Sequence, residues 1–260
     1  MLGYKISILP DCFGIDNKTR TVAIVGAGGK TSLMYFLARE IVNQGLTVVT
    51  TTTTKIFPPE PAQSPCSVTL AEDPRLASLH HFLTQFGHVT VGQNIIKSNG
   101  KLRGIDEDAI EICLRVAQCV LVEADGANGR PIKAPEEWEP VIPRQADLVI
   151  PIVGLDCLGK PVTDEWVFRM ERFAAITGLQ RGRIITPEAV AVLLSHPEGG
   201  LKNVKSRSSL VPFLNKSDVV ADGERIEEIV SAILRSAGNR ILRVVTGSLL
   251  LGDFTFRTFH

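Results

Sequence analysis

Short continuous apolar runs alternate with stretches of helical spacing along this chain. The first run, Val22, Ile24 and Val25, breaks into glycines and reopens on a helical pattern in which Leu33, Tyr35 to Leu37, Ile41 and Val42 recur. Asn43-Gln44-Gly45 supplies its stop. Leu46 to Val49 then reads as a second buried strand, so the core opens as a strand–helix–strand unit with parallel strands. Residues 1 to 20 are a short lead-in with a turn at Gly14-Ile15-Asp16-Asn17. Further on, the pattern predicts a strand from Ser67, a helix opened by Asp73-Pro74, a strand at Val89 to Val91, and a hairpin turn at Asn99-Gly100. A helix follows from Asp106 to about Gln118, then apolar strands at Cys119 and at Ala146 to Val153. Helices are expected over Asp164 to Thr177, after the Thr186 cap with Pro187 at its first position, and from Gly223 to Ala237. Strands at Leu210 to Leu214 and Arg240 to Ser248 complete the series. Apolar strands alternating with helices predict an α/β fold, a doubly wound, mainly parallel sheet with helices on both faces.

The break after the first strand carries chemistry. Gly26, Gly28 and Gly29 reach positive φ without steric cost, so the loop amides of Gly26-Ala27-Gly28-Gly29 can point inward at an anion. A helix N-terminus adds partial positive charge. Lys30 reaches outer phosphates as a mobile charge, and the Thr31 or Ser32 hydroxyl can hold a magnesium ion. The Walker A spacing wants a glycine six residues before the lysine, where this chain has Ile24. The shorter G-x-x-G-K-T loop resembles the nucleotide loop of Mur ligases. The expected architecture is therefore P-loop NTPase-like, one nucleotide-binding domain over residues 1–260 with a β-hairpin insertion near 88–103.

Three other stretches join this one. The second strand runs into Thr50 to Thr54 and Lys55; hydroxyls there either bind magnesium and hold a water near a terminal phosphate, Thr53 foremost, or reflect β-propensity alone. Cys119 to Val122 is a core strand closing on Glu123-Ala124-Asp125-Gly126. Buried acids need a cation, and a magnesium nucleotide beside Lys30 would supply it; a structural ion pair is the other reading. Both acids share one strand face if the strand extends that far, and the Gly126 amide would then approach the terminal phosphate. Finally, Asn215-Lys216-Ser217-Asp218 after an apolar strand is the N-K-x-D guanine motif of GTPases. The Asp218 carboxylate can accept from the guanine N1–H and 2-amino groups, where adenine offers a bare acceptor. Asn215 buttresses the loop or meets N7, and the Lys216 stem covers the base.

Charge and composition narrow the partners. Among 260 residues, 28 Lys and Arg balance 28 Asp and Glu, which gives no general attraction for nucleic acid or anionic lipid. Five cysteines without a C-x-x-C pair suggest reduced thiols and a cytoplasmic setting. Met1 to Pro10 has too short an apolar segment for a signal peptide, and no run is long enough to cross a bilayer. His80, His81 and His88 read as surface or packing residues. Arg130 and Lys133 read first as solvated loop charges, with an anion contact as the alternative. Lys202, Lys205 and Arg207 read as solvated surface, and Cys157 as a small buried thiol in a crevice loop.

The order G-A-G-G-K-T, T-T-T-T-K-I, V-E-A-D-G-A, N-K-S-D, with E-P-V-I-P at Glu139 to Pro143, resembles the YqeC family, named for selenium-dependent hydroxylase accessory and selenium cofactor biosynthesis proteins. Glu123-x-x-Gly126 also resembles the E-x-x-G motif of metallochaperone GTPases, and Ala27 stands where a family glycine is expected. The resemblance implies a maturation role for selenium-dependent molybdenum hydroxylases, with such a client or a selenium or molybdenum-cofactor species as partner. The combined expectation is a GTP- or ATP-binding NTPase, GTP favoured. Lys30, Glu123, Asp125 and Thr53 would be catalytic, and Thr31, Glu123 or Asp125 would hold Mg2+. The nucleotide would meet residues 26–32, Gly126, Asn215, Lys216 and Asp218. The alternative is a kinase or Mur-like ligase that activates a small acid or selenium compound with ATP.

Overall fold

The computed structural model describes residues 9–258. Met1 to Ile8, most of the segment considered for a signal peptide, lies outside the described residues. Ten strands form one sheet: β1 (Thr21–Gly26), β2 (Val48–Thr52), β3 (Ser67–Thr69), β4 (His88–Gly92), β5 (Cys119–Glu123), β6 (Leu148–Gly154), β7 (Ser209–Leu210), β8 (Phe213–Asn215), β9 (Arg243–Ser248) and β10 (Asp253–Thr258). From one edge the order is β10, β9, β8, β6, β1, β5, β2, β4, β3, with β7 also paired to β6. Every pairing is parallel except β9 with β10.

Alternation along β1 sets the two layers. Val22 and Ile24 point to one face, where they pack with Leu121, Ile150, Phe213 and Val245 beneath α1 (Leu9–Phe13) and α2 (Lys30–Asn43). Ala23 and Val25 point to the other, with Val149 and Leu214, beneath α5 (Met170–Thr177), α6 (Pro187–Ser195) and α7 (Gly223–Ser236). Further along that second face, Val49, Val89, Val120 and Val122 are covered by α3 (Leu79–Phe86) and α4 (Glu107–Val116). The sheet is thus buried on both sides, as parallel strands require. Asp106 caps α4 through Ala109 N at 2.9 Å, and Thr186 caps α6 through Ala189 N at 3.2 Å, both where the sequence places them. Among the described residues no helix is long and apolar enough to cross a membrane.

Register brings the chemistry to one rim. Ile24 lies opposite Glu123, Thr52 opposite Glu123, Gly26 opposite Ile152, and Asn215 opposite both Gly154 and Gly247. The carboxyl ends of β1, β2, β5, β6, β8 and β9 therefore open on the same side, where ligands of open parallel sheets bind.

Several elements depart from the sequence expectation. The second strand extends to Thr52, so Thr50, Thr51 and Thr52 are fully buried ladder residues whose hydroxyls bond His88 Nε2, Val91 O and Glu123 O. Helix α3 begins only at Leu79, because the Asp73 carboxylate accepts from Ala77 N and Ser78 N and closes a turn instead. Helix α5 begins at Met170, since Val167–Phe168 pairs with Ile132–Lys133 and withholds that segment from the helix. His88–Gly92 belongs to the main sheet, and the hairpin around Asn99-Gly100 occupies 93–103, closed by Ile96 N to Lys101 O at 2.7 Å. Its end, Leu102–Arg103, pairs with Lys55–Ile56. Strand β5 stops at Glu123, so Asp125 follows the strand rather than sharing its face.

His88 is buried beside Thr50 and Tyr35, and burial pushes its imidazole down from 6.5 to about 4. A folded value below the unfolded one means that the unfolded chain binds the extra proton between them. The associated stability is complete above pH 6.5 and is lost as pH falls toward 4. Replacing His88 by Gln, which keeps a polar partner for Thr50 and does not titrate, should remove about 3 kcal/mol of the pH dependence between pH 7 and 4. Urea midpoints of the two proteins over that range check this; parallel curves would contradict it.

Candidate functional site

The loop between β1 and α2 is pressed against the end of β6. Gly28 has φ 93°, and a Cβ there would stand 2.1 Å from Gly154 N and 2.7 Å from Pro131 O. Gly26, at φ 92°, would meet Ile152 O at 2.4 Å. Only glycine satisfies both the backbone angle and the approach. Ala27 between them donates its N–H to Ile152 O at 2.9 Å and is buried. Helix α2 then starts without a side-chain cap, and its first backbone bond joins Leu33 N to Gly29 O at 2.9 Å. The amides of Lys30, Thr31 and Ser32 are consequently outside the helical ladder, and the helix dipole adds to their positive field. All three residues line a cleft of about 650 Å3.

Lys30 is 5 % exposed at the head of this helix. Its ammonium donates to Gly26 O at 2.7 Å and stands 3.2 Å from Asp125 Oδ1 and 3.8 Å from Glu123 Oε1. Thr31 donates its hydroxyl to Glu123 Oε2 at 2.7 Å, and Gly26 donates its N–H to Asp125 Oδ2 at 2.9 Å. Both acids and the lysine are therefore in one cluster. Burial pushes the Glu123 carboxyl above the usual carboxylate range, against the opposing pull of Lys30 and the Thr31 hydroxyl. A cation in the cleft would offset that cost.

Lys133 and Glu139 extend the cluster inward. Lys133 is 3 % exposed and reaches Asp125 Oδ2 at 3.0 Å, Glu139 Oε2 at 2.7 Å and Gly126 O at 2.7 Å. Glu139 in turn accepts from Arg169 at 3.1 Å. The order Lys30, Asp125, Lys133, Glu139, Arg169 alternates in sign, so each charge removed from water has opposite neighbours. Reading Lys133 as a solvated loop charge was wrong: the segment 131–134 is drawn under the rim by the Ile132–Lys133 pairing. Lys202 is also buried, donating to Glu136 O at 3.0 Å. The signal for Lys133 lay in its setting, since Ile132 and Ala134 flank it and both are fully buried.

From the opposite side of β1, Asn215 donates through Nδ2 to Gly28 O at 2.8 Å and accepts from Leu249 N at 3.2 Å. The first letter of N-K-S-D thus ties the glycine loop to the loop after β9. Lys216, at φ 63°, lines the cleft and pairs with Asp156 at 2.6 Å. Asp218 lies on the next turn, exposed, its carboxylate free of a partner among the described residues. Gly126 lines the cleft with open space beside it. Thr53 sits at the rim beneath Glu123 O, and its hydroxyl donates to Val141 O at 2.9 Å. Cys157 is fully buried and its thiol is pushed up by burial, as an inert packing group would be. His80 and His81 are exposed. Among the described residues no group of three or more His, Cys, Asp or Glu side chains could hold a metal ion by itself. The hydroxyl and carboxylate oxygens of Thr31 and Glu123 suit a hard cation that completes its shell with phosphate and water, as magnesium does.

Comparison with known proteins points to one family. The family model described as YqeC protein matches residues 22–171. The uncharacterised protein YqeC of Escherichia coli (strain K12) is 34% identical over 223 residues, which cover 83% of this chain and 85% of that one. A solved structure, the signal recognition particle 54 kDa protein from Aeropyrum pernix K1 in complex with GDP, aligns at a TM-score of 0.38 and 16% identity, over 95% of this chain and 46% of that one. The chain spans less than half the length of that protein.

Removing the Lys133 ammonium while keeping its bulk would leave Asp125 and Glu139 facing each other across a buried gap. Lys133→Met should therefore destabilise the fold by about 3–5 kcal/mol at neutral pH. Denaturant titration measures this, and a loss below about 1 kcal/mol would show that the network is not the constraint described.

Proposed function

The chain belongs to the YqeC family, and from that premise and the rim geometry we propose that it binds a magnesium nucleoside triphosphate, GTP in preference to ATP. We propose further that it hydrolyses the nucleotide as an accessory factor in enzyme maturation. One observation carries the nucleotide reading. A buried lysine stands at an uncapped helix N-terminus, under a glycine loop, beside a hydroxyl already bonded to an acid at the end of the neighbouring strand.

Each residue has a physical role. The amides of Lys30, Thr31 and Ser32 receive phosphate oxygens, and the Lys30 ammonium exchanges Gly26 O for the outer phosphates. Magnesium, when bound, neutralises charge on the outer phosphates. Thr31 and Glu123 are its holders. Asp125 is better suited to positioning, because its oxygens already face the Gly26 amide, Lys133 and Lys30. Gly126 offers an amide beside open space. Thr53 would have to release Val141 O before it could orient a water. Asp218 reads the base, while Asn215 fixes the loop that carries the phosphates.

The finer assignment rests on family resemblance. In it, the hydrolytic cycle gates delivery of a selenium or molybdenum-cofactor species to a molybdenum hydroxylase client in the cytoplasm. Slow turnover without a client suits such a switch. The kinase or Mur-like ligase reading with ATP is favoured by one feature, the cationic outer wall of the cleft.

Calorimetry with GTP and ATP, with and without magnesium, separates these outcomes. Wild type should bind magnesium-GTP at least about tenfold tighter than magnesium-ATP, and Lys30→Ala should weaken both by about tenfold or more. Asp218→Asn should abolish the difference between the two bases without lowering ATP affinity. Absence of binding heat for either nucleotide would refute the reading; an unchanged GTP preference in Asp218→Asn would refute base recognition by that residue.

A further inference from the structure

The cleft is lopsided about the glycine loop. N-K-S-D follows β8, two strands to one side of β1, while Lys55 follows β2, two strands to the other. Apart from Lys216, the walls beyond the loop come from the second side. Ile56 and Phe57 follow Lys55, Lys101 projects from the hairpin, and residues 126–130 follow β5. A nucleotide whose base meets N-K-S-D runs its phosphates past Lys30 toward this outer wall; the inference rests on that reading.

The outer wall carries uncompensated charge. Lys30 is paired with Asp125, and Lys216 with Asp156. Lys55, Lys101 and Arg130 have no carboxylate within ion-pair distance among the described residues. Arg130 is nevertheless held in place: Nε donates to Asp164 O and Nη1 to Asn128 O, each at 2.7 Å. Two neutral carbonyls orient the guanidinium and leave its charge intact. Lys101 lies 4.8 Å above the Phe57 ring, which is 67 % exposed. Against these three cations the cleft sets one acid, Glu123, already bonded to Thr31. Like charges gathered on a concave wall concentrate counter-ions there. Gly126 and Gly129 leave the space beside them open.

We propose that Lys55, Lys101 and Arg130 form a second binding site for a compact oxyanion carrying two negative charges, held at the same time as the nucleotide and beyond its terminal phosphate. The magnesium-triphosphate occupies the loop, Lys30, Thr31 and Glu123; the oxyanion occupies the hairpin side. Two anions can sit close only because three cations lie between and around them. The site gives the protein a small-molecule ligand in addition to the nucleotide.

The test is a calorimetric titration of inorganic phosphate into the full chain saturated with magnesium and the β,γ-imido analogue of GTP, at constant ionic strength. Wild type should bind one phosphate. The double variant Lys55→Ala, Lys101→Ala and the single variant Arg130→Ala should each bind it at least about tenfold more weakly. Lys97→Ala, which removes an exposed charge from the same hairpin outside the cleft, should stay within about twofold of wild type. Phosphate affinity equal to wild type in the first two variants, an equal loss in Lys97→Ala, or phosphate that binds only without nucleotide would overturn the second site. An isotherm for the analogue with none for phosphate would overturn the second site and leave the nucleotide reading standing. No isotherm for the analogue in wild type would remove both.

Discussion

Lys30 is an ammonium ion taken out of water at the head of a helix whose own dipole repels it, and the rim is arranged around that conflict. Stripping an ammonium of its water costs several kcal/mol, and the positive end of α2 adds to the cost. The compensation comes from three directions: the Gly26 carbonyl, Asp125 and Glu123. Asp125 then has to be neutralised on its far side, which Lys133 does, and Lys133 is balanced by Glu139 and that acid by Arg169. The buried Lys30 ammonium thus heads a line of alternating charges that runs through the protein.

The strands supply the distances that this line needs. Glu123 is opposite Ile24 on one side and Thr52 on the other, so it is fixed by two ladders before any side chain takes part. The Thr31 hydroxyl can reach it because α2 begins at Lys30, immediately after the glycine loop. On the far flank, Asn215 lies opposite Gly154 and Gly247, and its amide reaches back to Gly28. Gly154 is in turn the residue against which Gly28 is packed. The loop is therefore held by β6, β8 and β5 together. A substitution in any of these strands that shifts register by one residue would turn the polar groups of this rim into the apolar layers.

Much of this was legible in the residues themselves. The apolar run Val22 to Val25 and the G-A-G-G-K-T turn predict a buried parallel strand, a glycine loop and a helix, and all three are present. The argument that buried acids need a cation named a magnesium nucleotide beside Lys30 or a structural ion pair; in the structure Glu123 and Asp125 stand beside the Lys30 ammonium, and Asp125 also pairs with Lys133. Lys133 was misread, because a loop rich in breakers looks solvated; its apolar neighbours Ile132 and Ala134 were the one hint, and the pairing of Ile132–Lys133 with Val167–Phe168 carries that segment inward. In the threonine run the reading by β-propensity fits Thr50 to Thr52, which are strand residues, and the hydroxyls of Thr51 and Thr52 are donors to neighbouring strands. The starts of α4 and α6 were read from their local caps, whereas at α3 the Asp73 signal closes a turn before the helix, and the start of α5 depended on pairing with a segment distant in sequence.

The central claim is that the glycine loop, the acids at and just beyond the end of β5 and the turn after β8 close on one ligand. Hydrogen–deuterium exchange of the intact chain, with and without magnesium-GTP, reads all three at once. The account predicts that amides of residues 26–33, 123–126 and 215–219 become protected together, at nucleotide concentrations that track binding. Protection confined to other parts of the chain, or an unchanged exchange rate at 26–33 under saturating nucleotide, would contradict it.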